Sequence, residues 1–284
     1  MPSDPLPLLA STVVTADASA VRRTIVLLHG IYGRGRNWAA IARGLAARRP
    51  EWAAALVDLR LHGASPAFEP PHTVAACAAD VRDRIARADD WPAPVEAVVG
   101  HSFGGKVALA LLADGAAPSP SPRPSLAQVW IVDSSPAAGE PAGTAWRMLG
   151  LARALPQRVA TRAEAIDGLT AGGITPDVAA WMASNLRRDG DGLVWALDWD
   201  AMEALLRDFF ARDLWPIVEA PPPGVALHFI KATESSRLSE EACARLESAG
   251  RATGRVHLHR VEGGHWIHAD NPTVVTALLA DALP

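Results

Sequence analysis

In Gly100-His101-Ser102-Phe103-Gly104, a serine stands between glycines two residues to either side, a spacing that suits a sharp strand-to-helix turn with its hydroxyl exposed. Acyl transfer by serine needs that hydroxyl, a base to take its proton and N–H donors for the oxyanion. His29-Gly30-Ile31-Tyr32-Gly33 offers one donor, the backbone N–H of Ile31, and the N–H of Phe103 offers the second. The chain has nine histidines. His265, in Val261-Glu262-Gly263-Gly264-His265-Trp266, is the candidate base, because two glycines let the loop swing an imidazole over a serine. His268 is its substitute, whereas His29, His62, His101, His257 and His259 read as packing or loop residues. Two carboxylates, Asp133 and Glu234, are placed to orient His265. Asp58 is better employed in holding the loop at Arg60-Leu61-His62-Gly63.

These residues need elements that bring them together. Apolar runs at 24–28, 53–59, 94–99, 127–132, 225–231 and 255–261 predict buried strands, with helices at 37–49, 73–88, 104–113 and 271–283. Strands alternating with helices imply βαβ units and a mostly parallel sheet, whose ligands sit at the carboxyl ends of the strands. Every motif named above falls at such an end. Residues 116–125 form a Pro/Ser-rich connection with a structural role only. From 137 to 223 the strand signal disappears, and short helices broken at Pro156, Gly172-Gly173, 190–192 and Pro216 predict a helical insertion. The expected division is a core of 1–136 and 224–284 with a cap at 137–223.

Bulk properties exclude other classes. At 284 residues and 49% hydrophobic, the chain suits one large core with an insertion. A formal charge of −4 provides no basic field for a nucleic acid backbone. Cys77 and Cys243 lie in stretches that read as helix, which favours buried thiols over a disulfide. No stretch of 18 uninterrupted apolar residues is present and the N-terminus lacks a signal-peptide pattern, so a cytoplasmic protein without membrane association is expected, as a monomer or homodimer. Neither metal-ligand spacing nor a phosphate-cradling Gly-Lys-Ser/Thr loop occurs, so no metal or cofactor is expected.

The strand-end motifs together resemble the YbfF/ABHD11-type branch of the α/β-hydrolase superfamily. The matching pieces include 27–33, Arg60-Leu61-His62-Gly63-Ala64-Ser65-Pro66, Gly100-His101-Ser102-Phe103-Gly104-Gly105-Lys106, Val132-Asp133-Ser134-Ser135-Pro136 and 264–272. The resemblance implies an α/β-hydrolase fold with a helical cap inserted between core strands. It also implies a cofactor-free serine esterase acting on a small-molecule ester or thioester of a short to medium acyl chain. In this branch an aspartate after the elbow helix serves as the acid, which favours Asp133 and keeps Glu234 as the alternative. Tyr32, Trp199, Phe209 and Trp266 are candidate walls of the substrate pocket. The same fold hosts C–C bond hydrolysis, cofactor-free perhydrolysis and non-catalytic scaffolds, and a serine at the nucleophile position disfavours dehalogenase and epoxide-hydrolase chemistry.

Overall fold

The computed structural model describes residues 7–113 and 126–284, so the connection at 116–125 lies outside the described residues. The chain runs β1 (Ser11–Val14), β2 (Arg23–Leu28), a 3-10 turn (Gly35–Trp38) leading into α1 (Ala39–Arg48), β3 (Trp52–Val57), α2 (Val74–Ala86), β4 (Val95–His101), α3 (Phe103–Ala110) and β5 (Gln128–Val132). An insertion follows, with α4 (Gly143–Ala154), β6 (Arg158–Val159), α5 (Arg162–Ala171), α6 (Pro176–Ala183), β7 (Leu186–Asp189), β8 (Gly192–Trp195), α7 (Trp199–Ala211) and α8 (Trp215–Glu219). The chain then returns through β9 (Ala226–Ala232), α9 (Glu240–Thr253), β10 (Val256–Val261), α10 (Ile267–Asp270) and α11 (Pro272–Ala282).

Seven strands form one sheet in the order β1-β3-β2-β4-β5-β9-β10, parallel except for β1, which pairs antiparallel with β3. Helices cover both faces, which is why the central strands are apolar without alternation. Val26, Val98 and Val129 point into the core shared with α2, α3 and the insertion. Their neighbours Ile25, Leu27 and Val99 point into the core shared with α1 and α11, against Trp38, Ile41 and Leu279. Cys77 and Cys243 are buried and unbridged. Among the described residues, no helix is long and apolar enough to cross a membrane.

The insertion departs from the all-helical expectation. It contains a three-stranded antiparallel sheet, β6-β8-β7, and the glycines at 190–192 mark a hairpin rather than a helix break. Asp189 pairs with Gly192 across the two-residue loop Gly190-Asp191, and Gly190 has φ +59°, the left-handed conformation such tight loops require. Three further elements go beyond the sequence reading: β1, the short α10, and α9, whose Ser239 hydroxyl accepts from the Ala242 N–H and whose first turn carries Glu240 and Glu241.

At the β10 edge, imidazoles stand where hydrocarbon is the norm. Trp130, His228 and His257 are cross-strand neighbours on β5, β9 and β10, with ring centroids 4.0 and 4.6 Å apart. His228 Nδ1 lies 3.1 Å from His259 Nε2, and burial pushes the His228 pKa down to about 3. The folded protein therefore holds His228 neutral where the unfolded chain, with an ordinary pKa near 6.5, takes up a proton. This contribution is fully present above pH 6.5 and is lost as the pH falls toward 3. In denaturant melts between pH 7 and pH 4, stability declines with acidification, and His228→Phe, which keeps the stack, gives a shallower decline than the unsubstituted protein.

Candidate active site

Ser102 sits between the end of β4 and the start of α3 with φ 52° and ψ −116°. A non-glycine residue held in such a conformation costs roughly 1–3 kcal/mol, so the surroundings must enforce it. The Ser102 N–H donates to Val132 O at 2.9 Å, and its carbonyl accepts from the Gly105 N–H at 2.9 Å. The flanking glycines are required by close backbone approach. A Cβ on Gly100 would stand 2.0 Å from Gly104 O, and one on Gly104 would stand 2.5 Å from His29 O.

His265, on the loop after β10, places Nε2 3.2 Å from Ser102 Oγ and Nδ1 2.7 Å from Asp133 Oδ2. Asp133 is fully buried at the end of β5 with φ 47°, and its N–H donates to Ile230 O at 2.8 Å. Its carboxylate also accepts from the Ala232 N–H at 3.2 Å and from the Ser235 hydroxyl at 2.5 Å, so both buried oxygens are satisfied. Glu234 is exposed and enters the structure through its backbone, whose N–H donates to Gly263 O at 3.0 Å. Of the two carboxylates read from the sequence, Asp133 is the one bonded to His265. Ser235 escaped the sequence reading, since a serine in a Ser-rich loop carries no signal of its own.

Four of the other histidines are scaffolding. His101 Nε2 donates to His265 O at 2.8 Å, and its ring lies 4.3 Å from that of His268. Burial holds His101 well below the ordinary imidazole pKa and lowers His268 to about 3, so both stay neutral. His29 and His62, lowered by burial to about 4 and about 3, accept through Nε2 from the N–H groups of Leu59 and Tyr32, each at 3.0 Å. These two bonds pin the loop after β2 to the loop after β3. The N–H groups of Ile31 and Phe103 have no acceptor among the described residues, and both residues line the cavity that contains Ser102.

That cavity measures about 270 Å³. Phe209, Phe210, Leu206, Met148 and Trp181 enter from the insertion, and Trp266 flanks His265 at 5.4 Å between centroids. Phe209 and Trp266 thus face the cavity, but Tyr32 and Trp199 do not, and their assignment to the pocket is corrected. Tyr32 is buried, its phenol pKa raised by desolvation, and its hydroxyl donates to Ala145 O at 3.0 Å, fastening the insertion to the core. Trp199 donates through Nε1 to Gln157 at 2.7 Å and packs on Trp195 within the insertion. An indole or phenol with a buried polar tip goes where that tip finds a partner.

Residues 25–278 match the profile of the Alpha/beta hydrolase family. Over 262 residues the chain is 28% identical to the sn-1-specific diacylglycerol lipase ABHD11 of Xenopus tropicalis, covering 89% of this chain and 76% of that protein. It is 28% identical over 266 residues to Lipase LipV of Mycobacterium tuberculosis, covering 91% and 92%. A solved marine microorganism esterase superposes with a TM-score of 0.78 at 20% identity, covering 98% of this chain and all of that one, a likeness of fold.

One side chain joins the elbow helix to the insertion. Lys106, one turn along α3 from Ser102, is buried and donates to the carbonyls of Ala137, Phe209 and Arg212 at 2.7, 2.7 and 2.8 Å. Three acceptors match the three N–H bonds of an ammonium. Burial lowers its pKa to about 8, so the ammonium form persists at pH 7. Lys106→Met leaves three half-buried carbonyls without their donor and lowers the stability by about 1–3 kcal/mol, seen as an earlier midpoint in urea unfolding.

Proposed function

Because this chain belongs to the Alpha/beta hydrolase family, we propose that it is a serine hydrolase cleaving carboxylic esters or thioesters of short to medium acyl chains. The observation that carries this reading is the line of hydrogen bonds from Ser102 Oγ to His265 and on to Asp133, at 3.2 and 2.7 Å. A cavity of about 270 Å³ walled by phenylalanines suits a small acyl group. The sn-1-specific diacylglycerol lipase and lipase names of the similar proteins favour ester cleavage over C–C bond hydrolysis.

In the first half-reaction, Ser102 Oγ attacks the carbonyl carbon as His265 Nε2 takes the hydroxyl proton. Asp133 fixes the ring so that Nε2 faces the serine and stabilises the imidazolium that forms. The carbonyl oxygen gains negative charge and turns toward the N–H groups of Ile31 and Phe103, the latter at the positive end of α3. Collapse breaks the bond to the leaving oxygen or sulfur, which receives the proton from His265, and an acyl-Ser102 remains. Water then attacks that acyl carbon and gives a proton to His265; the bond to Ser102 Oγ breaks, Oγ takes that proton from His265, and the carboxylic acid departs. Each step uses groups of this chain and water.

Ser102→Ala, with its circular dichroism unchanged, hydrolyses 4-nitrophenyl butyrate at least ~10³-fold more slowly. Retention of full activity would overturn the proposal. Asp133→Asn loses roughly 10²–10⁴-fold in kcat. Glu234→Gln stays within about twofold, and the opposite ranking of these two carboxylates would reassign the acid.

A further inference from the structure

Four side chains of acidic or basic type other than histidine line the cavity: Lys106, Asp133, Glu140 and Arg237. Lys106 is taken up by three carbonyls, and Asp133 by His265, Ser235 and the Ala232 N–H. Arg237 is different. It follows Ser235 by two residues, and its backbone N–H donates to the Ser235 hydroxyl at 3.2 Å, which ties it to the loop that holds Asp133. Its guanidinium is half-buried, yet among the described residues none of its N–H groups meets an acceptor and no carboxylate lies within ion-pair distance. The buried arginines elsewhere are neutralised locally, Arg60 by Asp80 and Arg84 by Asp90.

The place Arg237 occupies is shaped for it. Gly143, the first residue of α4, has φ +79°, and a Cβ there would stand 2.4 Å from Nη1 and 2.8 Å from Nη2. The guanidinium therefore packs closely on the Gly143 backbone, whose left-handed conformation favours glycine, and Arg237 lines the cavity that holds Ser102. Glu140, on the same rim, is exposed and beyond ion-pair distance. A planar fork of donors held against backbone, with no protein acceptor, matches a carboxylate or phosphate.

We propose that Arg237 is an anion subsite of the cavity and that the substrate is an ester bearing a negatively charged group. The inference rests on the serine hydrolase reading and deepens it. Catalysis itself does not need the charge; Arg237 selects which esters are held while Ser102 reacts.

The test compares matched esters that differ only in charge. On the acyl side the pair is 4-nitrophenyl valerate and 4-nitrophenyl hemiglutarate; on the alcohol side, butyryl esters of a butyl chain ending in methyl, carboxylate or phosphate. The expected result is a preference of about tenfold in kcat/KM for a charged member, expressed in KM and shrinking as salt is added. The side and the anion that show it identify the source of the charge. Arg237→Met brings the ratio to near one, and Arg237→Lys restores part of it. Hydrolysis of neutral esters with no preference for any charged partner overturns the subsite while leaving the hydrolase reading intact. A preference that survives in Arg237→Met overturns it as well, as does one that emerges only in Glu140→Gln, which would assign Arg237 to an ion pair with Glu140. Failure to hydrolyse any ester would instead count against the serine mechanism.

Discussion

The backbone of Ser102 is held where it would not rest unaided, and the parallel sheet does the holding. The ladder between adjacent strands continues past their regular ends. Ser102 hangs from Val132 on β5, Asp133 from Ile230 on β9, and Thr233 from Val261 on β10. Each strand end is thus clamped by the next, and two of these residues, Ser102 and Asp133, have positive φ. The Ser102 and Asp133 backbones are fixed by main-chain bonds within a rigid layer, and His265 reaches back to them from the loop after the edge strand β10. Such main-chain anchoring keeps reacting groups within the narrow tolerances catalysis demands.

Around this layer, several buried polar groups find partners close at hand. His29, His62 and His101 are neutral rings used as hydrogen-bond struts, His268 is a neutral ring packed against His101, and their loss of charge follows from burial. Asp133 accepts from a backbone N–H and a hydroxyl as well as from His265, while Lys106 spends its three donors on carbonyls. Among the described residues, the Ser102 hydroxyl, the N–H groups of Ile31 and Phe103, and the Arg237 guanidinium are polar groups of the cavity left free to meet a ligand.

Much of this was legible from the sequence because it is local. A glycine spacing, an apolar run and the loop that follows them lie within a few residues of one another, so Ser102, His265 and Ile31 could be singled out and the parallel sheet inferred. What needed three dimensions is long-range or directional. Asp133 and Glu234 both end strands, and only the fold shows that one carboxylate turns under His265 while the other faces solvent. Tyr32 adjoins Ile31 in sequence but points toward α4, because its hydroxyl finds Ala145 there. In the insertion, β7 carries Arg187, Arg188 and Asp189, exposed charges without hydrophobic alternation, and β6 is two residues long. Neither pattern announces a strand. Arg237 belonged to a crowd of arginines, and its distinction, a half-buried guanidinium without an acceptor among the described residues, is one that spacing cannot reveal.

The attachment of the insertion has a consequence for how such a chain tolerates change. Lys106 holds residues 137, 209 and 212 by their main-chain oxygens, and every amino acid supplies one. The path of the polypeptide over the site is therefore constrained while the identities along it are largely free. Substitutions on the inner wall can remodel what is admitted without loosening the roof, whereas a deletion that moved any of the three carbonyls would unseat it. Selectivity and anchorage are written in different alphabets, one in side chains and the other in backbone.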